Sequence, residues 1–193
     1  MKIKKVYIAS QLYSTKEQKD NCEIEEALRR AGYDTFLPQR DGFTYVDLFK
    51  QVQNEGYAHE EARDIALGLI MHLDVYQVCE SCDATVLNLN GRFSDEGAVS
   101  EGALCFRSER PLVIYKGSSP SFAMENHSPL VTGLTGFEIV DKVEEIPKKL
   151  NQLENKDESN YARTMNIARK LFKDYDPGNK DIGVLASLGK EHF

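Results

Sequence analysis

The chain has 193 residues, 41% of them hydrophobic and 28% charged, with a formal net charge of −7. That length suits one domain with room for a short appendage, and the composition is that of an ordinary globular protein. The acidic balance argues against a nucleic-acid polymer as partner, because such proteins carry a basic stripe or patch; small-molecule chemistry stays open.

The opening "MKIKKVYIAS" runs directly into a strand pattern, without the apolar h-region and small-residue cleavage site of a signal peptide. No apolar run approaches the roughly 20 residues that span a bilayer, so a cytoplasmic protein is expected. "KKVYIAS" is the first strand. The next stretch, "STKEQKDNCEIEEALRRAG", repeats Cys22, Ile24, Ala27, Leu28 and Ala31 at helical spacing, with Gly32 where a helix C-terminal glycine belongs. "YDTFLP" reads as the second strand, ended by Pro38, and "QRDGFTY" as a polar loop. A long helical region is expected from about Ala58 to Ser81, then a third, doubly buried strand, "DATVLNLN". "DEGAVSEGALCFRSE" is a helix, "RPLVIYKG" a fourth strand, "GFEIVDK" a weaker fifth and "VEEIPKKLNQLEN" the last core helix. In the remainder a helix near Tyr161–Tyr175 precedes a Pro-Gly break and a short apolar tail.

Alternating strands and helices predict an α/β fold with a mostly parallel sheet. Five strands and the handedness rule favour a flavodoxin-like, doubly wound sheet of order 2-1-3-4-5. Residues 1–150 form the domain, and 151–193 a helical extension that packs on the core or on a neighbouring subunit. Ligands in such sheets bind beyond the carboxyl ends of the strands at the switch point, here between the loops "SQLYS" and "NGRFSDEG".

"CESC" (Cys79–Cys82) has the spacing of a redox or metal half-site. It lies at the C-terminal end of the predicted helix, whereas redox pairs use a helix N-terminus, and no second ligand pair for zinc is evident. Core or incidental cysteines are the expectation; the four cysteines form no disulfide framework, and no metal site is implied.

Three carboxylates stand in unusual surroundings. The helical neighbours of Glu101 are Gly97, Ala98, Leu104 and Cys105, none of them a charge partner. Asp95 reads as an N-cap of the same helix, a role compatible with facing the crevice. Asp74 interrupts the apolar set Ile70, Met71, Gln77 and Val78, so it is paired, edge-exposed or functional. Glu96 reads as solvated, and Asp83 as a turn or cap residue at a helix–strand junction. Carboxylates converging on one crevice suit acetal chemistry, in which one attacks the anomeric carbon and another moves the proton. The sequence contains no G-x-G-x-x-G or Walker loop and no G-x-S-x-G elbow, which weakens nucleotide-cofactor and serine-hydrolase readings.

The strand "VYIAS", the aromatic Tyr13 after it, and "LDVYQVCESCDATVLNLNGRFSDEGAVSEGALCF" together resemble the nucleoside 2-deoxyribosyltransferases. Asp74, Asp83, Asp95, Gly97 and Glu101 follow the order and spacing of that family, over roughly residues 5–145. The resemblance implies transfer of 2-deoxyribose between nucleobases through a covalent deoxyribosyl–Glu101 intermediate, without metal or organic cofactor. It casts Tyr7 as the residue that orients Glu101, Asp95 as the contact to the sugar hydroxyls, and Asp74 as the proton-transfer group near the leaving base. It places Gln39, Arg40 and Asp41 at the base, though a solvated turn fits "PQRDG" equally, and matches Asn126 to a polar residue that completes a neighbouring subunit's site. The partners implied are a deoxynucleoside, a free nucleobase and further copies of the chain in a homodimer or larger assembly. Two features depart from the family: "ASQLYS" lacks its Gly-Pro pair, and Asn90-Gly91 stands where relatives end the third strand with an acid. A sibling activity, hydrolysis of 2'-deoxynucleoside 5'-monophosphates, would need a phosphate pocket, for which Ser10, Ser14 and Ser94 are the candidates. A non-catalytic nucleoside- or nucleotide-binding module is the rival from another class.

Overall fold

The structure, a computed structural model, describes residues 2–91, 95–117, 128–172 and 182–189. Five short runs rich in β-branched and apolar residues become β1 (Lys5–Ser10), β2 (Asp34–Phe36), β3 (Ala84–Asn88), β4 (Leu112–Tyr115) and β5 (Ile139–Val140). All four pairings are parallel and the order is β2-β1-β3-β4-β5, the expected doubly wound α/β sheet. Around it lie α1 (Thr15–Arg30), α2 (Pro38–Asp41), α3 (Tyr45–Asn54), α4 (His59–Tyr76), α5 (Glu96–Arg107), α6 (Pro129–Gly133), α7 (Ile146–Glu154), α8 (Asn160–Phe172) and α9 (Ile182–Gly189). No helix among the described residues is long and apolar enough to cross a membrane.

Strand alternation sorts the core into two layers. Val6, Ile8 and Val86 meet Ile24 and Leu28 of α1 and Ile146 and Leu150 of α7. On the other face Tyr7, Ala9, Leu87 and Ile114 meet Val78, Ala98 and Cys105. Tyr7 therefore points into the layer that contains α5, and this single fact of strand parity sets up the site.

Helix α1 has matched ends. Ser14 and Glu17 form a reciprocal capping box. Gly32, at φ +90°, permits the Schellman pair Gly32 N–H to Arg29 O (3.0 Å) and Tyr33 N–H to Leu28 O (3.1 Å). The helical region from Ala58 to Ser81 is present as α4 followed by a π-turn over Gln77–Ser81, closed by Cys82 N–H on Gln77 O at 2.8 Å.

Two segments differ from the expectation. "QRDGFTY" is not all loop: Pro38 at the first helical position, and the Asp41 carboxylate accepting Leu37 N–H at 2.8 Å, wind residues 38–41 into α2. Thr44 then caps α3, which buries only Val52 deeply, so its apolar signal is weak against the turn chemistry around it. The helix expected near Tyr161–Tyr175 is present as α8 up to Phe172, the last described residue before 182. It packs on α5, with Tyr161 edge-on to Phe106 (5.4 Å between centroids) and under Arg107 (4.8 Å).

Candidate active site

Helix α5 starts at Asp95, whose Oδ1 accepts Ala98 N–H at 2.8 Å, so the cap expected from sequence is formed. Ala98, Gly102 and Cys105 face the core from this helix. Gly102 allows the approach: a Cβ there would stand 2.9 Å from Leu87 Cδ2 on β3. One position earlier, Glu101 lies at the edge of the buried stripe, close enough to β1 for Tyr7 Oη to donate to Glu101 Oε1 at 2.7 Å. Tyr7 is fully buried and its ring is stacked on Phe36 (5.5 Å, 11°), which holds the hydroxyl in place.

Burial pushes Glu101 up to about 8, opposed by the Tyr7 hydrogen bond and reinforced by the negative fields of Asp74 and Asp95. Asp74, on α4, is also raised by burial and is held down in part by the Tyr7 hydroxyl. The Tyr7 hydroxyl itself is raised, first by burial and then by Glu101 and Asp74. One phenolic proton cannot serve two carboxylates at once. That proton goes to Glu101 at 2.7 Å, while Asp74 shares the same hydroxyl from the other side and is raised by burial. The cluster is thus two carboxyls, both raised by burial, that share one tyrosine hydroxyl.

The other sequence-predicted residues separate into groups. Tyr13 is exposed, and its hydroxyl is raised chiefly by the charge and hydrogen bond of Asp95, which places it across the entrance from α5. Gly97 keeps the first turn of α5 clear, since a Cβ there would stand 3.1 Å from Asp95 Oδ1. Glu96 is exposed, as expected. Gln39 is held on α1: its Nε2 donates to Gln18 O (3.2 Å) and Cys22 Sγ (3.4 Å), while its Oε1 accepts from Asn21 (3.1 Å). Arg40 and Asp41 pair with each other, and Arg40 also pairs with Glu25 and reaches Thr35 O. Burial tends to raise Asp41, but the Arg40 and Leu37 hydrogen bonds outweigh it and hold the carboxyl low. Asn126 and Ser94 lie outside the described residues. Ser14 is engaged as the α1 cap, and Ser10 Oγ is buried with no hydrogen-bond partner among the described residues.

Of the "CESC" pair, Cys82 is buried and its thiol is pushed up to about 11 by burial, the opposite of an activated cysteine. Among the described residues no group of three or more His, Cys, Asp or Glu side chains is arranged to hold a metal ion. Sequence reasoning missed Asn21 and Asn88, two buried amides behind the crevice. An asparagine seven residues into an amphipathic helix, and another ending an apolar strand, were the available signals.

Fold and site together define a flavodoxin-like α/β domain with a buried tyrosine–glutamate pair where strand β1 meets helix α5. No protein-family model matches the sequence, and no curated protein matches it. Among solved structures, a conserved protein from Enterococcus faecalis V583 is similar over 78% of this chain and 99% of its own, with a TM-score of 0.58 and 20% identity. A 2-deoxyribosyltransferase from the psychrotolerant bacterium Bacillus psychrosaccharolyticus matches over 79% of this chain and 92% of its own, with a TM-score of 0.48 and 17% identity. At 20% identity the likeness to the Enterococcus faecalis protein is one of fold.

Proposed function

We propose that the chain is a nucleoside 2-deoxyribosyltransferase, in which Glu101 attacks the anomeric carbon of a 2'-deoxyribonucleoside. The sugar is held as a glycosyl ester, and a second base then takes it with retention. The observation that carries this reading is the 2.7 Å bond from the buried Tyr7 hydroxyl to a Glu101 carboxylate beside which no cation stands among the described residues. A residue serving only the fold would not place an uncompensated carboxylate there. In this reading Tyr7 orients and stabilises ionised Glu101, and Asp74 delivers a proton to the departing base and recovers it from the acceptor. Asp95, besides capping α5, faces the sugar hydroxyls. The free base and the nucleoside are the only partners the chemistry needs, and no cofactor enters it.

The nucleoside is favoured over the nucleotide by the helix ends. Helix N-termini are natural phosphate sites, yet the Glu17 carboxylate already accepts Ser14 N–H at 2.9 Å at α1, and Asp95 occupies the start of α5. A phosphate at either would meet a carboxylate. We assign residues 1–150 to this catalytic domain and 151–193 to a helical cover, in a cytoplasmic protein. A second copy would cover the exposed apolar residues Leu67, Met71, Val75 and Tyr76 on α4, the helix of Asp74.

The test is incubation with a 2'-deoxynucleoside and a different free base, followed by chromatography, with Glu101→Ala as control. A new nucleoside formed by wild type and absent in the variant supports transfer. Free base alone means hydrolysis, binding without turnover means a binding module, and equal activity of Glu101→Ala removes Glu101 from the mechanism.

A further inference from the structure

Behind the crevice, on the α1 side of the sheet, lies a chain of amides whose direction is fixed at both ends by backbone groups. Asn90 N–H can only donate, and it donates to Asn88 Oδ1 at 2.9 Å. Asn88 Nδ2 is therefore left to donate to Asn21 Oδ1 at 2.8 Å. Asn21 then uses its Nδ2 on two acceptors, Gln11 O (3.0 Å) and Gln39 Oε1 (3.1 Å). Gln39 Nε2 ends the chain on Gln18 O at 3.2 Å. Asn21 is fully buried and Asn88 nearly so. Gln11, Gln39 and Asn90 stand one to three residues beyond the carboxyl ends of β1, β2 and β3. One buried side chain on α1 thus joins the loops that follow three adjacent strands. The joint is tight on its open side as well: a Cβ on Gly91 would stand 2.3 Å from Gln11 Oε1, and one on Gly117 would stand 3.0 Å from Asn90 Oδ1.

We propose that Asn21 is a positioning residue, which sets the relative placement of the three loops that wall the substrate crevice and, through Gln39, of the wall that faces the base. It touches no reacting group: Tyr7 and Glu101 lie in the opposite core layer, so Asn21 governs how substrate is seated and leaves the ionisation of Glu101 alone. The catalytic side of this inference rests on the deoxyribosyltransferase reading; the coupling of the loops does not.

Asn21→Leu keeps the number and branching of side-chain heavy atoms and removes all three ties, whereas Asn21→Asp keeps the acceptor for Asn88 and loses both donors. With 2'-deoxynucleoside and free base, Asn21→Leu is expected to raise KM about tenfold while kcat changes less. The pH midpoint of kcat/KM stays at the wild-type value, and Asn21→Asp gives a similar rise in KM. A merely structural asparagine would lower Tm and leave KM unchanged, and that result overturns the proposal. Wild-type protein without any turnover would sink the deoxyribosyltransferase reading instead. Amide hydrogen exchange then decides the joint alone: in Asn21→Leu, residues 11–13, 39–42 and 89–91 must all exchange faster, by about tenfold, with α8 unaffected. Acceleration confined to α1 would overturn it. Should Asn21→Leu fail to fold, Asn88→Leu cuts the chain at its far end and must loosen residues 89–91 in the same measurement; unchanged exchange there is equally fatal.

Discussion

In the proposed reaction Glu101 has two opposing requirements, since it would have to ionise to attack and yet is buried, and its burial raises it from 4.5 to about 8. In the free enzyme kcat/KM should therefore rise with pH to a plateau above about 8. The Tyr7 hydroxyl favours the ionised form, so Tyr7→Phe, which retains the stack on Phe36, should move that midpoint upward. It should also cut kcat/KM at pH 7 by about 100–1,000-fold, the range for one lost donor to a reacting charge; a pH–rate series on both proteins checks this. The same shift makes a stability statement. Between about 4.5 and 8 the folded state binds the proton more tightly than the unfolded chain, so Glu101 lowers stability progressively as pH rises through that window. Glu101→Gln is neutral throughout, so its Tm advantage over wild type should be near zero at pH 4 and largest above pH 8. Chains of this size gain about 2–4 °C per kcal/mol. Differential scanning calorimetry at the two pH values reads the difference, and a constant offset would contradict the buried carboxylate.

At the scale of elements, the site is made by the distance between α5 and the sheet. Gly102 lets Leu87 come against the helix backbone, and this approach brings Glu101 to Tyr7. On an exposed helix Gly→Ala stabilises by about 1 kcal/mol. Gly102→Ala should do the reverse, because its Cβ meets a buried leucine, and overpacking costs about 1–3 kcal/mol. It should also lose more activity than stability, since the helix moves away from β1; thermal unfolding and single-turnover rates on one preparation separate the two effects. How legible these elements were depended on signal strength. The Gly32 stop of α1, the Asp95 cap and the doubly buried β3 were all readable, because each is a local pattern with one physical cause. Helices α2 and α3 were not. A proline-started turn looks like a loop by composition, and α3 buries a single residue deeply, too little for a periodic stripe.

At the scale of the whole molecule, α4 carries Asp74 toward the site and leaves Leu67, Met71 and Tyr76 half exposed or more. Contiguous apolar surface of this kind marks contact sites. If the proposed self-association runs through α4, Met71→Lys should shift the protein toward monomer in analytical ultracentrifugation, with little change in Tm of the isolated chain. An unchanged sedimentation coefficient would remove α4 from the interface. The sequence by itself determined the strands, their order and which acids stand in unusual surroundings, because alternation, caps and chemical type are local properties of the chain and the handedness rule orders the strands. Only the tertiary structure decided which acids meet: Tyr7 and Glu101 are 94 positions apart and join because strand parity turns Tyr7 toward the layer into which Gly102 admits α5. It also bound Arg40 and Asp41 to each other and made Asn21 a junction. Such pairings depend on side chains from distant segments sharing a low-dielectric space, which periodicity along the chain does not encode; the Tyr7–Glu101 pair was implied by the family resemblance alone.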